Sequence, residues 1–219
     1  MHHELEVFPS PEAVASSGAV YVAKLARAAV SDHGRFTFAV SGGRTPWAMF
    51  AELAAQDVPW KDIVIFQVDE RVAPEGDPDR NLTHLRASLG EAPAEVVPMP
   101  VNDPDLDAAA ARYAALIPVR FDLVHLGLGP DGHTASLVPG DPVLEILDRP
   151  VAVTRPYQGH PRMTLTYPAL RRADQLLWLV TGADKQAPVA KLLAGDGSIP
   201  AGNVQAGRSL IMADASAAT

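Results

Sequence analysis

Four apolar runs constrain the fold of this chain more than any other feature. Residues 36–40, 63–68, 121–126 and 175–181 are apolar along nearly their whole length, and each is followed by glycine or charged residues. Strands of this kind are typical of a parallel sheet that is covered on both faces. Helical patterns separate the runs, which favours the same architecture. The sequence therefore predicts an α/β fold with a mostly parallel central sheet and helices on both faces.

Shorter signals complete the predicted element order. Pro11 and Glu12 begin a helical pattern that ends at Gly34, and Thr45 is a candidate N-cap for the helix that follows it, with Pro46 in its first turn. No repeat or low-complexity linker divides the chain, so we expect one domain over residues 1–219. The remaining predicted elements are strands at 4–8, 96–97, 151–154, 162–166 and 209–212 and helices at 82–89, 106–117 and 184–194.

Composition excludes several functions. The net charge is −8, and non-specific nucleic-acid binding needs a basic surface, so no nucleic-acid partner is expected. An anionic small molecule stays compatible with the sequence because a local pocket can be positive on an acidic protein. There is no cysteine, so there are no disulfides, thiolate metal sites or cysteine nucleophiles. Without a signal-like N-terminus or an apolar run of about 20 residues, we expect a cytoplasmic monomer or small homo-oligomer without a membrane partner.

Polar groups collect where four predicted strands end. In an open α/β sheet, ligands lie outside the carboxyl ends of the strands, and all these ends meet at one edge. The convergence of the four segments is more informative than any one of them. The segments are Ser41-Gly42-Gly43-Arg44-Thr45, Asp69-Glu70-Arg71, Gly127 to His133, and Gly182 to Lys185.

The segment 41–45 joins a strand to a helix and is a candidate anion site. Successive backbone N–H groups and a helix N-terminus attract phosphate there, and the Ser41 and Thr45 hydroxyls can add donors. The alternative is an ordinary turn, since the segment has neither P-loop spacing nor the third glycine of a dinucleotide fingerprint. Candidate counter-charges for the anion are Lys185, Arg162, Arg44, Arg71 and Arg155.

His133 is the candidate general base. Its unperturbed pKa of about 6.5 allows it to accept a proton near neutral pH. A carboxylate would orient the ring, and Asp131 lies two residues away, while Asp69 could reach it from the neighbouring strand end. The alternative is a solvated loop histidine. The other histidines show no ligand spacing and His125 fits a packed core, so we expect no metal and no cofactor.

These residues together resemble the 6-phosphogluconolactonase family, within the larger group that also holds glucosamine-6-phosphate deaminases. The resemblance extends in order over nearly the whole chain, and the segment Leu126 to Leu137 is its most specific part. It implies a Rossmann-like, glucosamine-6-phosphate deaminase-like fold. Its other segments are 41–46, Asp69-Glu70-Arg71, Asn81-Leu82, Pro139-Gly140, 162–166 and 182–185.

The resemblance implies hydrolysis of 6-phosphoglucono-δ-lactone to 6-phosphogluconate, the second step of the oxidative pentose phosphate pathway, without a metal. It implies that His133 activates water and that Asp131 positions the imidazole, with oxyanion donors from backbone N–H groups of the glycine turn. The phosphate would bind Ser41, Gly42 and Gly43, with charge from Arg162, Lys185 and Arg71. Asn81 would contact sugar hydroxyls or brace the pocket. The family usually has Phe where Val138 stands, and a segment richer in Lys and Pro where 156–161 stand.

Two alternatives remain open. An amino-sugar phosphate deaminase would need a glutamate five residues after His133, where this chain has Val138. Such enzymes also usually have Tyr at the position of Arg71, and they are generally longer. A sensor that binds a sugar phosphate without catalysis would have no evident use for an Asp131/His133 pair. Both arguments favour the lactonase.

Overall fold

The structure, a computed structural model, describes residues 3–219 and contains a seven-stranded sheet and a three-stranded sheet. The strands are β1 (His3–Phe8), β2 (Phe36–Val40), β3 (Ile63–Gln67), β4 (Asp69–Arg71), β5 (Glu95–Val97), β6 (Phe121–Leu126), β7 (Val151–Val153), β8 (Arg162–Leu165), β9 (Ala173–Val180) and β10 (Arg208–Asp214). The helices are α1 (Pro11–His33), α2 (Arg44–Ala54), α3 (Asn81–Leu89), α4 (Leu106–Leu116), α5 (Tyr167–Leu170), α6 (Gln186–Leu193) and α7 (Ala215–Ala218).

The larger sheet is parallel throughout, in the order β1-β10-β9-β6-β2-β3-β5. Its central strands are the four apolar runs of the sequence, as predicted. Because every strand has the same direction, the segments that follow β2, β6 and β9 lie along one edge. The prediction of a mostly parallel α/β sheet is confirmed.

Both faces of this sheet are covered. Ile65 packs in one buried cluster with side chains of α1, α2 and α3, whereas the next residue, Phe66, packs in a second cluster with α4 and α6. This separation follows from the alternation of side chains along a strand. Within residues 3–219, no helix is both long and apolar enough to cross a membrane.

The three-stranded sheet is antiparallel and has the order β4-β8-β7. The sequence analysis did not predict this second sheet. The segment Asp69-Glu70-Arg71 was expected to be the polar end of one strand. Instead, β3 ends at Gln67, and residues 69–71 form a strand of their own that pairs with β8. The buried apolar side chains of β7 and β8 belong to the same cluster as those of α4, so the small sheet packs over the large one.

The start of α2 differs from the prediction at Thr45. The N-cap is Gly43, which has no side chain to cap the helix, and Thr45 lies inside the first turn. The Thr45 hydroxyl lies 2.9 Å from the hydroxyl of Thr181, at the end of β9. The prediction of Thr45 as N-cap was therefore wrong, because this hydroxyl joins the first turn of α2 to the residue that follows β9.

Candidate active site

A cleft of about 460 Å³ lies at the carboxyl edge of the large sheet, where the small sheet approaches it. The turns after β2 and β6 form one wall, and β4, β8 and the start of α3 form the other. Most of the predicted site residues meet here. The lining comprises Ser41, Gly42, Gly43, Arg44, Trp47, Asp69, Arg71, Pro78, Asp79, Asn81, His84, Gly127, Leu128, Gly129, Pro130, His133, Ala135, Arg162 and Lys185.

Asp131 orients the ring of His133. The Nδ1 atom of His133 lies 2.5 Å from Asp131 Oδ1, which also accepts the backbone N–H of His133 at 3.1 Å. Partial burial raises the pKa of Asp131, but the hydrogen bonds and charge of His133 outweigh it, and the net pKa is below its usual value. An ionised Asp131 accepts the Nδ1 proton, so Nε2 is left as the basic nitrogen.

The turn that carries this pair requires glycine at position 129. A Cβ on Gly129 would lie 2.1 Å from His133 Nδ1, so any larger residue would displace the imidazole. The Gly129 N–H donates to the His133 carbonyl at 2.8 Å, and the Gly132 N–H donates to the Gly129 carbonyl at 3.0 Å. Both glycine N–H groups therefore hold the turn closed, and they are not free to act as the oxyanion donors that the resemblance implies.

The turn after β2 is anchored from below by His125. The Ser41 N–H donates to His125 Nδ1 at 3.3 Å, and complete burial lowers the pKa of His125 to about 3, so the ring is neutral. Among the described residues, the Ser41 hydroxyl is a buried oxygen without a hydrogen-bond partner. Gly42 lies so close to Asn81 that a Cβ would be 2.2 Å from its Oδ1 atom. Ser41, Gly42 and Gly43 thus line the cleft, and the Ser41 hydroxyl is buried without a protein partner among the described residues.

Asp69 lies on the opposite wall and does not orient His133. Its carboxylate accepts the Ser136 hydroxyl at 2.6 Å and Nδ2 of Asn81 at 3.3 Å. Burial raises the pKa of Asp69, although the Ser136 hydrogen bond and the charges of Arg71 and Arg162 oppose the shift. The predicted reach from Asp69 to His133 was wrong because β4 turns Asp69 towards Ser136 and Asn81.

Asn81 is fixed from both sides. It donates to the Asp69 carbonyl at 3.1 Å, and its Oδ1 atom accepts Nη1 of Arg71 at 2.6 Å. Glu70, which lies between Asp69 and Arg71 in sequence, is fully buried. Its carboxylate accepts hydrogen bonds from the backbone N–H groups of Asn81 and Leu82 at 2.8 and 2.9 Å. A carboxylate at a helix N-terminus satisfies donors that have no partner within the helix. These hydrogen bonds join the start of α3 to the three residues of β4.

Four cationic side chains line the cleft, namely Arg44, Arg71, Arg162 and Lys185. Asp69 and Asp79 are the carboxylates in the same lining, and Lys185 pairs with Asp184 at 2.9 Å. The four cations still outnumber these three carboxylates, so the cleft carries a positive excess on an acidic protein. Such a cavity suits a dianion.

Two candidates for anion binding lie elsewhere. Arg155 is exposed outside this lining, and its backbone N–H donates to Asp141 at 3.0 Å. Thr45 lines a neighbouring cavity with Arg44 and the three carboxylates Glu12, Asp184 and Asp214, so its surrounding is acidic overall and disfavours phosphate. The structure therefore brings neither residue into the cleft.

Several residues at the site were missed in the sequence. Trp47 and His84 stack at 5.6 Å between ring centroids on the wall beside Gly42, and Tyr157 packs against His133. Trp47 could have been found, since it follows Arg44 by three positions on a helix and so shares its face. His84 could have been found in the same way, since it follows Asn81 by three positions on α3. Tyr157 gave no signal, because it lies in a loop.

Comparison with known proteins identifies the family. The family model described as glucosamine-6-phosphate isomerases/6-phosphogluconolactonase matches residues 9–212. The chain belongs to this family. A 6-phosphogluconolactonase of Nostoc sp. is 33% identical over 89% of this chain and 86% of its own length, and one of Synechocystis sp. is 37% identical over 76% and 75%. The resemblance seen in the sequence is confirmed.

Solved structures agree with the fold. A 6-phosphogluconolactonase of Thermotoga maritima is similar with a TM-score of 0.88 and 26% identity, covering 97% of this chain and 99% of its own. A monomeric glucosamine-6-phosphate deaminase has a TM-score of 0.84 at 18% identity, covering 98% of each chain, a likeness in fold alone. The predicted deaminase-like fold is thereby confirmed.

Proposed function

We propose that this chain is a 6-phosphogluconolactonase, which hydrolyses the ester bond of 6-phosphoglucono-δ-lactone to give 6-phosphogluconate. One observation carries the proposal: a single cleft holds both an imidazole oriented by a carboxylate and four cationic side chains. The first suits attack by water on a carbonyl carbon, and the second suits a sugar phosphate. The names of the relatives support the same reaction.

The chemical step begins at His133. Its Nε2 atom takes a proton from water as the water oxygen bonds to C1 of the lactone. Asp131 accepts the Nδ1 proton and stabilises the imidazolium that forms. Negative charge develops on the former carbonyl oxygen, and the cationic lining stabilises it.

The tetrahedral intermediate then collapses. The carbonyl re-forms, the bond between C1 and the ring oxygen breaks, and the imidazolium of His133 returns its proton to that oxygen. The immediate products are a carboxylic acid and a free hydroxyl on an opened chain, and the enzyme regains its starting protonation state. The acid then releases its proton to solvent and becomes the carboxylate.

The phosphate is proposed to bind where Ser41, Gly42 and Gly43 face Lys185 and Arg162. The Ser41 hydroxyl lacks a partner, and the start of α2 adds a favourable dipole. Arg44 and Arg71 contribute further positive charge. Asp69, expected in the sequence to be catalytic, is assigned instead to the sugar hydroxyls and, with Asn81, to the placement of Arg71.

We further infer that residues 1–219 act as one domain. The support is one buried cluster that includes side chains of both sheets, among them Val124 of β6 and Met163 of β8. The site needs both sheets, because His133 follows the first and Arg162 belongs to the second.

A deaminase is less well supported. Val138 occupies the position at which the resemblance would require a ring-opening glutamate, and valine cannot carry a proton. The same cleft would bind an amino-sugar phosphate, so the reaction rather than the binding decides between the two.

The test is lactone hydrolysis by the full chain. The lactone is generated in situ by glucose-6-phosphate dehydrogenase, and its decay is followed with and without the protein, with a chelator present throughout. We expect accelerated decay and no release of ammonia from glucosamine 6-phosphate. An uncatalysed rate of decay together with tight binding of a sugar phosphate would overturn the proposal in favour of a sensor.

A further inference from the structure

Tyr157 lies between the proposed base, His133, and the proposed phosphate ligand Arg162. Its ring packs edge-on against the His133 ring at 5.5 Å between centroids and an interplanar angle of 67°. The guanidinium carbon of Arg162 lies 5.1 Å from the centre of the same Tyr157 ring. One aromatic ring therefore touches the proposed base and a proposed phosphate ligand together.

The Tyr157 hydroxyl adds a weaker contact. It donates to Asp131 Oδ2 at 3.4 Å, while Oδ1 of the same carboxylate holds His133. This bond is longer than the usual hydroxyl hydrogen bond of about 2.7 Å. The ring, rather than the hydroxyl, makes the stronger connection.

The loop that carries Tyr157 is held in place on both sides. The Tyr157 N–H donates to the His160 carbonyl at 2.9 Å across a turn in which Gln158 has a φ of 51°. Arg162 Nη2 donates to the Tyr157 carbonyl at 3.3 Å, and the His160 ring lies 3.0 Å from Asp79 Oδ2. The Tyr157 side chain is therefore held in place by its loop and is not a free surface side chain.

We propose that Tyr157 is a positioning residue that couples Arg162 to the Asp131–His133 pair, so that binding of the substrate phosphate orients the base. The inference rests on the proposed lactonase function and deepens it. A cation over an aromatic face is attracted by the ring quadrupole. A phosphate dianion on Arg162 fixes the guanidinium, the guanidinium fixes the ring, and the ring limits rotation of the His133 imidazole.

The decisive comparison is between two substitutions of one residue. Tyr157→Phe keeps the ring and removes the hydroxyl, whereas Tyr157→Leu keeps an apolar side chain and removes the aromatic face. We expect the Phe variant to retain kcat within about threefold, because the long hydrogen bond contributes little. We expect the Leu variant to lose about tenfold or more in kcat, since misplacement of a catalytic group by about 1 Å costs up to about 10²-fold.

A double-mutant cycle with Arg162→Gln measures the coupling itself. If Tyr157 transmits the position of Arg162, the Leu and Gln substitutions together cost less in kcat/KM than the product of their separate effects, by about threefold or more. Thermal unfolding of each variant checks that the fold is retained. Tyr157 is partly exposed on a loop, so the Tyr157 substitutions leave the core intact.

The outcomes separate the two proposals. An inactive wild type would overturn the lactonase function. An active wild type whose Leu variant matches its Phe variant in kcat would overturn the role of Tyr157 alone. Additive effects in the cycle would also overturn the coupling, and would leave Tyr157 as a packing neighbour of His133.

Discussion

The two walls of the cleft differ in the groups that they contribute. The large parallel sheet contributes turns, in which backbone atoms and glycines bring His133 and the 41–43 loop into place. The small antiparallel sheet contributes charged side chains from distant parts of the sequence, with Arg71 directly opposite Arg162 in the strand pairing. The comparison teaches that the backbone of the first wall sets the geometry of the reaction. The second wall contributes side-chain charge that adds to Arg44 and Lys185, which follow strands of the large sheet.

This difference predicts different kinetic effects. A substitution that displaces groups on the first wall removes transition-state stabilisation and lowers kcat. A substitution that removes charge around the phosphate weakens binding of substrate and transition state alike, and raises KM.

The largest expected effect is that of His133→Ala. Loss of the general base lowers kcat by about 10²–10⁴-fold. Binding of 6-phosphogluconate, measured by calorimetry, stays close to that of the wild type because His133 does not contact the phosphate in the proposed complex. A variant with wild-type kcat would remove His133 from the role of base.

Gly129→Ala tests the backbone of the same wall. The added Cβ would lie 2.1 Å from His133 Nδ1, so the ring must move and kcat falls by about 10²-fold. Gly127→Ala is the matched control, since a Cβ there meets no atom within 4 Å. Steady-state kinetics should show the larger loss at position 129, and equal losses at both positions would contradict the argument from close approach.

Lys185→Ala tests the charge that faces the phosphate. Loss of one charge-assisted hydrogen bond of roughly 1.5 kcal/mol raises KM by about tenfold with little change in kcat. Lys191→Ala is the control, because Lys191 is an exposed lysine of α6 outside the cleft lining. If kcat falls while KM is unchanged, Lys185 acts on the reacting atoms instead.

The smallest effect is expected on stability, from Asp69→Asn. Burial raises the pKa of Asp69, so the ionised carboxylate is unfavourable in the folded protein at neutral pH. Replacement by the neutral amide should raise the free energy of unfolding by about 1 kcal/mol at pH 7 and lower activity.

The gain in stability from Asp69→Asn should depend on pH. Below the ordinary aspartate pKa of about 3.9, the carboxyl is protonated in both folded and unfolded chains, and the gain from Asn disappears. Denaturant unfolding at pH 3 and pH 7 measures both values. An equal gain at the two pH values would show that the charge of Asp69 carries no cost.

The sequence predicted the first wall better than the second. The apolar runs 36–40 and 121–126 locate parallel strands, and the segments after them must therefore lie at one edge. The separate sheet of β4, β7 and β8 was not predictable in the same way. Its strands have three or four residues, and their partners are set by packing over the large sheet rather than by local pattern.

The same contrast holds for single residues. The Asp131–His133 pair is local in sequence, so its hydrogen bond could be expected from spacing. Tyr157 contacts His133 because the turn after it has a left-handed backbone conformation at Gln158. No periodic pattern in the sequence predicts this turn. The prediction for Thr45 was wrong because a hydroxyl near a helix start can either cap the helix or bond to a neighbouring element. Its partner Thr181 is known only from the fold, which places the end of β9 beside it.

The triplet Asp69-Glu70-Arg71 has a consequence for protein engineering. Successive side chains of a strand point in opposite directions, so Asp69 and Arg71 line the cleft while Glu70 turns inward to α3 and to the buried guanidinium of Arg80, 3.0 Å away. Libraries that aim at new sugar specificity can therefore vary positions 69 and 71 together. Position 70 should be kept as glutamate, because its loss removes the carboxylate that pairs with the buried Arg80 guanidinium and accepts the first N–H groups of α3.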